Sequence, residues 1–173
     1  MNTKIVLSIL LTTGVLSQVF SEDFEAYYTG TVYNTLPFSG KWYRQDVNKT
    51  TGNFEVRNSG DSTTTVLSLF VENITSVTCI DITTQPSYIY QLQMNYALAF
   101  GTLATLTISW NQQNYTYTLS DSLIYDFSEE VEAFNSNNTL CFSGWAPNVL
   151  MAFGPIIDNI TLTSLRPISE APH

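Results

Sequence analysis

The chain is short of histidine and cysteine, the two side chains that most readily titrate and react near neutral pH. Its one histidine is His173, the last residue. Ser-His-Asp and Cys-His arrangements, and zinc sites built on imidazole, are thereby excluded. Cysteine is almost as scarce, with only Cys79 and Cys141. Cations are few, 6 Lys and Arg against 15 Asp and Glu, for a formal net charge of -9. That balance argues against nucleic acid and anionic membrane surfaces as partners, since both need a basic patch. A glycine-rich phosphate loop is absent, and no segment after residue 21 carries a sustained helical period.

Long apolar runs are missing too, with one exception. Lys4 followed by Ile5 to Leu16 reads as the charged and apolar regions of a secretory signal peptide. The run is too short to span a bilayer comfortably, so an uncleaved anchor is the lesser alternative. Cleavage fits after Ser17 or after Ser21, and Val19 with Ser21 slightly favours the second. The expected organisation is a signal peptide over 1–21, one domain over 22–166 and a flexible polar tail over 167–173. A secreted protein with no membrane insertion after cleavage is the expectation.

What the chain does have is alternation. Tyr88, Tyr90, Leu92, Met94, Tyr96 and Leu98 recur at every second position, with Gln91, Gln93 and Asn95 between them. Period two over that length predicts a half-buried strand. Leu106, Ile108 and Trp110 alternate with threonine and serine, and Tyr115, Tyr117 and Leu119 do so after a polar turn, which predicts a hairpin. Further strands are expected at Gly40–Tyr43, Asn53–Arg57, Thr65–Val71, Ile74–Ile82, Asn138–Ser143 and Ile156–Leu165. Ser128–Phe134, SEEVEAF, has the start of a capped helical turn but is too short for a stable helix. About nine short strands separated by turn residues predict an all-β, two-sheet antiparallel β-sandwich or jelly roll.

In an oxidising compartment the two cysteines are expected to form one disulfide, with buried thiols or an intermolecular bridge as alternatives. Five N-glycosylation sequons begin at Asn48, Asn73, Asn114, Asn137 and Asn159. Apolar alternation turns Asn114 and Asn159 away from the core, as a glycan requires.

Carboxylates are the remaining candidates for chemistry. Asp126, Glu129, Glu130 and Glu132 form a cluster that reads as a solvated face rather than a glycosidase pair. Asp158 is different, because alternation puts it on the face of Ile156, Ile160 and Leu162. An inward carboxylate must be hydrogen-bonded, paired or metal-bound. Backbone hydrogen bonds at a strand end are one solution; a structural Ca²⁺ shared with Glu25 is the other. Among the aromatics, Trp42 and Tyr43 end an early strand, and Trp145 lies in the SGWAPN segment over 143–148. All three are candidates for stacking on a ligand, although Trp42 and Trp110 also suit a core.

The order of these features resembles a known family. Asp23-Phe24-Glu25, then Gly40-Lys41-Trp42, then the 88–98 strand, then Gly154-Pro155-Ile156-Ile157-Asp158-Asn159-Ile160-Thr161-Leu162 is similar to the galactose-binding-like jelly rolls. These include carbohydrate-binding modules and a group of secreted plant cell-wall proteins. The resemblance implies a non-catalytic module recognising an extracellular glycan, with Glu25 and Asp158 at positions that share a structural calcium. It departs at Asn159, where many relatives carry a second aspartate. A structural or adhesive extracellular glycoprotein with no small-molecule ligand is the alternative.

Overall fold

The computed structural model describes residues 16–25, 31–33, 42–44, 54–58, 65–69, 77–99, 103–145 and 154–168. Among them lie twelve strands and no helix: β1 Gln18–Glu22, β2 Thr31–Tyr33, β3 Trp42–Arg44, β4 Phe54–Asn58, β5 Thr65–Leu69, β6 Val77–Thr83, β7 Tyr88–Leu98, β8 Ala104–Trp110, β9 Gln113–Leu119, β10 Tyr125–Ala133, β11 Asn137–Trp145 and β12 Pro155–Pro167. None of the described residues forms a helix long and apolar enough to cross a membrane.

Two antiparallel sheets face each other across one core. The larger runs β10-β7-β12-β5-β4-β2, and the smaller runs β3-β6-β11-β8-β9. Strand β12 is long enough to take two partners on one side, β5 at Ile156–Ile157 and β1 at Ile160–Thr163, while β7 pairs its other side. The expected alternation sets which residues meet inside. Tyr90, Leu92, Met94, Tyr96 and Leu98 of β7 face Leu106, Ile108 and Trp110 of β8, with Phe142 and Leu140 of β11 and Trp42 of β3. Phe24, just past β1, is fully buried and packs against Trp42, with tilted rings 5.8 Å apart. Fully burying a side chain of this size stabilises by roughly 1.5–3 kcal/mol.

Four local expectations change. Ser128–Phe134 is not a helical turn: Ser128–Ala133 belongs to β10, whose residues pair one for one with β7 from Tyr125↔Tyr96 to Ala133↔Tyr88. Phe127, Val131 and Ala133 are buried at every second position, but exposed Glu129 stands in the same phase and hides the pattern. At the free edge of the larger sheet, an inward-phased carboxylate discourages another strand from pairing there.

The second change is at Asp158. The register of β12 shifts between Asp158 and Thr161, and Asn159 has φ of 52°. One extra residue at this bulge reverses the phase. Ile157, not Ile156, therefore joins Ile160 and Leu162 in the core, and Asp158 is half-buried rather than fully inward. Asparagine tolerates the left-handed conformation better than most residues.

The other two changes concern boundaries. The sheet starts at Gln18, inside the segment assigned to the leader, and Ser164 N–H donates to the Ser17 carbonyl at 2.9 Å. At the far end β12 runs through Pro167, and Ile168 N–H donates to Ser87 O at 2.8 Å. The remainder of the expected tail, 169–173 with His173, lies outside the described residues.

Candidate functional site

Strand alternation decides which aromatic side chains can meet a ligand. Trp42 and Tyr43 are consecutive on β3, so they must point to opposite faces. Trp42 goes inward opposite Ile80 and is only 1% exposed, with its indole N–H donating to Glu22 Oε2 at 3.4 Å. It is a core residue and offers no ring face to a ligand, which corrects its place among the candidate stacking residues. Tyr43 goes outward opposite Cys79.

Trp145 also points outward. It is the last residue of β11 rather than part of a loop, it stands opposite Thr105, and it is 45% exposed. The odd-numbered residues of β11 share its face, while Leu140, Phe142 and Gly144 turn into the core. Tyr43 and Trp145 thus lie on the same outer face of the five-stranded sheet.

The register maps that face. One row crosses all five strands: Tyr43, Cys79, Cys141, Ser109, Asn114. A second carries Val77, Ser143, Thr107 and Thr116, and a third carries Trp145, Thr105 and Thr118. Trp145 is four residues along β11 from Cys141, and Tyr43 is two strands across. At about 3.3 Å per residue and 4.8 Å per strand, their backbone positions are about 16 Å apart. Between them lie the disulfide, Val77 and Ser143, while the hydroxyls of Ser109, Thr107, Thr105, Thr116 and Thr118 extend the face on the β8 and β9 side of Trp145; these three rows carry no charged side chain.

Cys79 and Cys141 are the disulfide expected from the sequence, joining adjacent strands at directly paired positions with Cα atoms 4.1 Å apart. Both are buried. Beside them, Asp81 organises the Tyr43 end. Its Oδ1 accepts from the Tyr43 hydroxyl at 2.9 Å and from Thr139 Oγ1 at 2.7 Å. Burial, then the Asp81 contact, raises the Tyr43 phenol above its ordinary range, so it remains a neutral hydroxyl. Sequence reasoning missed Asp81 and Thr139; their outward phase was readable, but their convergence on Tyr43 depends on the β3-β6-β11 order.

Asp158 lies elsewhere, on the larger sheet. Its Oδ1 accepts from the Asn159 N–H at 2.8 Å, and its Oδ2 from the Asn159 side-chain amide at 3.4 Å. Its carboxyl is raised from 3.8 to about 6, chiefly by burial, against that backbone hydrogen bond and with smaller contributions from the charges of Glu25 and Asp23. Glu25 and Asp158, proposed together from the sequence, thus lie within reach of each other's charge. Among the described residues, however, no three acidic, histidine or cysteine side chains form a group able to hold a metal. The donors are hard carboxylate oxygens, of the class Ca²⁺ takes, and a cation there would need backbone or solvent oxygens to complete its shell.

Of the five sequons, Asn114 and Asn137 are exposed on the outer face of the smaller sheet and Asn159 is exposed on the larger. Asn48 and Asn73 lie outside the described residues.

No protein-family model matches the chain, and comparison with curated sequences finds no match either. Solved structures do match. The CBM22-1 and GH10 modules of Clostridium thermocellum xylanase 10B, complexed with xylohexaose, superpose with a TM-score of 0.58 at 13% identity, over 90% of this chain and 30% of that one. This chain thus spans under a third of that two-module protein. The CBM22-1 xylan-binding domain of Paenibacillus barcinonensis Xyn10C gives 0.57 at 10% identity, over 90% and 97%. The K3 adhesin domain of Lys-gingipain from Porphyromonas gingivalis gives 0.57 at 12%, over 86% and 98%. The expected fold is confirmed: the chain is an all-β, two-sheet jelly roll of the galactose-binding-like type, similar in architecture to the family 22 carbohydrate-binding modules.

Proposed function

We propose that this chain is a secreted, non-catalytic carbohydrate-binding module that holds an extracellular glycan on the outer face of its five-stranded sheet. Trp145 and Tyr43 would stack on sugar rings, and the Ser143, Thr105 and Thr107 hydroxyls beside Trp145 and the Asp81 carboxylate beside Tyr43 would meet the sugar hydroxyls. The observation that carries this reading is a 45% exposed tryptophan on a strand, sharing the outer face of the smaller sheet with a tyrosine hydrogen-bonded to a carboxylate. Aromatic rings present an apolar face to sugar C–H groups and a polar rim to their hydroxyls. The fold supports it, since several structures of similar architecture are carbohydrate-binding modules. A linear xylo-oligosaccharide is therefore the first ligand to try.

Trp145→Ala tests the site. Loss of an aromatic anchor commonly costs more than 1 kcal/mol, so xylohexaose affinity measured by calorimetry should fall about tenfold. Because the ring is exposed, the melting temperature should hardly move. Equal affinity in wild type and variant would remove Trp145 from the site.

Secretion is part of the proposal. The buried disulfide supports an oxidising compartment. If a leader is removed, cleavage after Ser17 preserves β1, whereas cleavage after Ser21 would strip Phe20 and most of the strand from β12. The mature protein is expected to begin at Gln18, with its amine closing on the side-chain amide to release ammonia. Intact mass of the secreted protein checks this; a chain starting at Glu22 would refute it.

The structural Ca²⁺ remains a proposal at Glu25 and Asp158, with Asn159 beside them. The pH dependence supplies its test. A carboxyl raised from 3.8 to about 6 in the folded state binds more protons there than when unfolded. Without a cation, this group's contribution makes stability decline as pH rises from about 4 to 6. Bound Ca²⁺ favours the ionised form, so the melting temperature at pH 7 should rise when Ca²⁺ replaces EGTA. Superimposable melts would eliminate the metal. Asp158→Asn should abolish the pH-dependent decline and any response to Ca²⁺.

A further inference from the structure

The face that carries Tyr43 and Trp145 also carries two of the protein's own glycan acceptors. Asn114 is in the same cross-strand row as Tyr43, four strands away across β6, β11 and β8, or about 19 Å. Thr116, the hydroxyl residue of its sequon, is exposed in the next row beside Thr107, with their hydroxyls 3.2 Å apart. Ser109 Oγ donates to Asn114 Oδ1 at 2.5 Å. That bond engages the amide oxygen and leaves the nitrogen, which carries the sugar, free of any partner among the described residues. At Asn159 the nitrogen is engaged instead, donating to Asn95 Oδ1 at 3.0 Å and Asp158 Oδ2 at 3.4 Å. Asn137 shares the outer face of Asn114 but stands at the end of β11 remote from Trp145.

An N-linked glycan is bulky and hydrated, and Asn114 roots it on the candidate binding surface itself. A sugar at this point starts at the edge of the hydroxyl floor that runs through Ser109 and Thr107 toward Cys141 and Ser143. The same groups that would suit an external glycan suit this one, and its attachment makes the encounter intramolecular.

We infer that an N-linked glycan on Asn114 lies over the outer face of the five-stranded sheet and competes there with external glycan. The inference rests on the proposed passage through a glycosylating compartment, and its competition half rests on the proposed binding face. In the attachment step the Asn114 amide nitrogen bonds to the anomeric carbon of a lipid-linked oligosaccharide; the lipid diphosphate leaves with the bonding electron pair, and the amide loses one proton. The state of Asn114 then sets how much of the face is open, with the Tyr43 end, the more remote of the two aromatics, least covered.

The test compares wild-type protein from a glycosylating host with Asn114→Gln and Thr116→Ala. The second variant removes the sequon while keeping the Asn114–Ser109 hydrogen bond. Peptide mapping after N-glycosidase treatment reads occupancy, and protein–glycan proton contacts in NMR read where the sugar lies. Calorimetry with xylohexaose reads competition. Occupancy at Asn114, sugar contacts to Thr107 and Thr116, and about tenfold tighter binding in both variants are expected. An unmodified Asn114, a glycan with no contact to this face, or equal affinity in all three binding proteins would each overturn the inference. If sugar contacts are present but no form binds xylohexaose, the covering of the face is supported and the xylan-binding reading is the one refuted.

Discussion

Replacing both cysteines, Cys79→Ala with Cys141→Ala, is expected to lower the free energy of unfolding by about 4 kcal/mol. The estimate comes from the loop the bond closes, since 62 positions separate the two residues. In the chain-entropy account, joining residues so far apart removes conformations from the unfolded ensemble roughly as the logarithm of the loop length. Because the pair occupies opposed positions of β6 and β11, in the middle of the smaller sheet, those strands remain paired when the sulfurs are removed. The variant should therefore keep its strand content and lose cooperativity only on heating, with a melting temperature roughly 8–16 °C lower. A melting temperature within 2 °C of wild type, read by circular dichroism at about the same protein concentration, would contradict the loop-entropy account. Alkylation of the native wild type should find no thiol, since no free cysteine is present.

An effect of similar size is expected from Trp110→Ala. The indole is 1% exposed in the centre of the core, and its N–H donates at 2.8 Å to the Glu132 carbonyl. That hydrogen bond joins β8 of one sheet to β10, the edge strand of the other, so Trp110 holds the layers together as well as filling space. Deleting a buried tryptophan costs about 3–5 kcal/mol through lost burial and the cavity left behind. Trp110→Phe separates the two roles: most of the volume remains and the hydrogen bond is lost, so about 1–3 kcal/mol should go. Urea unfolding of the three proteins measures both, with the midpoint ordered wild type, Phe, Ala. If Trp110→Ala matched the small effect expected for Trp145→Ala, the core assignment would be wrong. The contrast between these tryptophans follows from strand phase, since residue type is the same.

Phase was also what made the fold legible. The period of two over 88–98 and the 105–119 hairpin predict strands β7, β8 and β9 with the correct inward faces. The two-sheet architecture follows from the number of such strands, and the Cys79–Cys141 bond from two cysteines in a chain expected to be secreted. Three features resisted it for physical reasons. Glu129 interrupts the apolar alternation of β10 because an edge strand can turn an inward-phased side chain out to solvent. The bulge at Asn159 inserts one residue and inverts the phase of all that precedes it in β12, so Asp158 was placed a face too deep. Strand β1 adjoins an apolar leader-like segment, and Val19 and Phe20 look like its continuation until β12 is seen alongside.

The candidate site was legible residue by residue but not as a surface. Trp145 and Tyr43 were identifiable as aromatic residues near strand ends. Whether they share a face depends on β6 lying between β3 and β11, which is long-range pairing that no local pattern encodes. For the same reason Asp81, Thr139 and the Asn114 acceptor could not be assigned to that face from sequence. Strand order turns separated residues into one row, Tyr43, Cys79, Cys141, Ser109 and Asn114, on the outer side of the smaller sheet, with the buried disulfide at its middle.

The central claim is that this surface, rather than any other part of the sandwich, holds glycan. An NMR titration of isotope-labelled, unglycosylated protein with xylohexaose tests it most directly. The account predicts saturable shifts confined to outward positions of β3, β6, β11 and β8, led by the Trp145 indole and the Tyr43–Asp81 pair. Shifts on the larger sheet, or none at millimolar ligand, would contradict it.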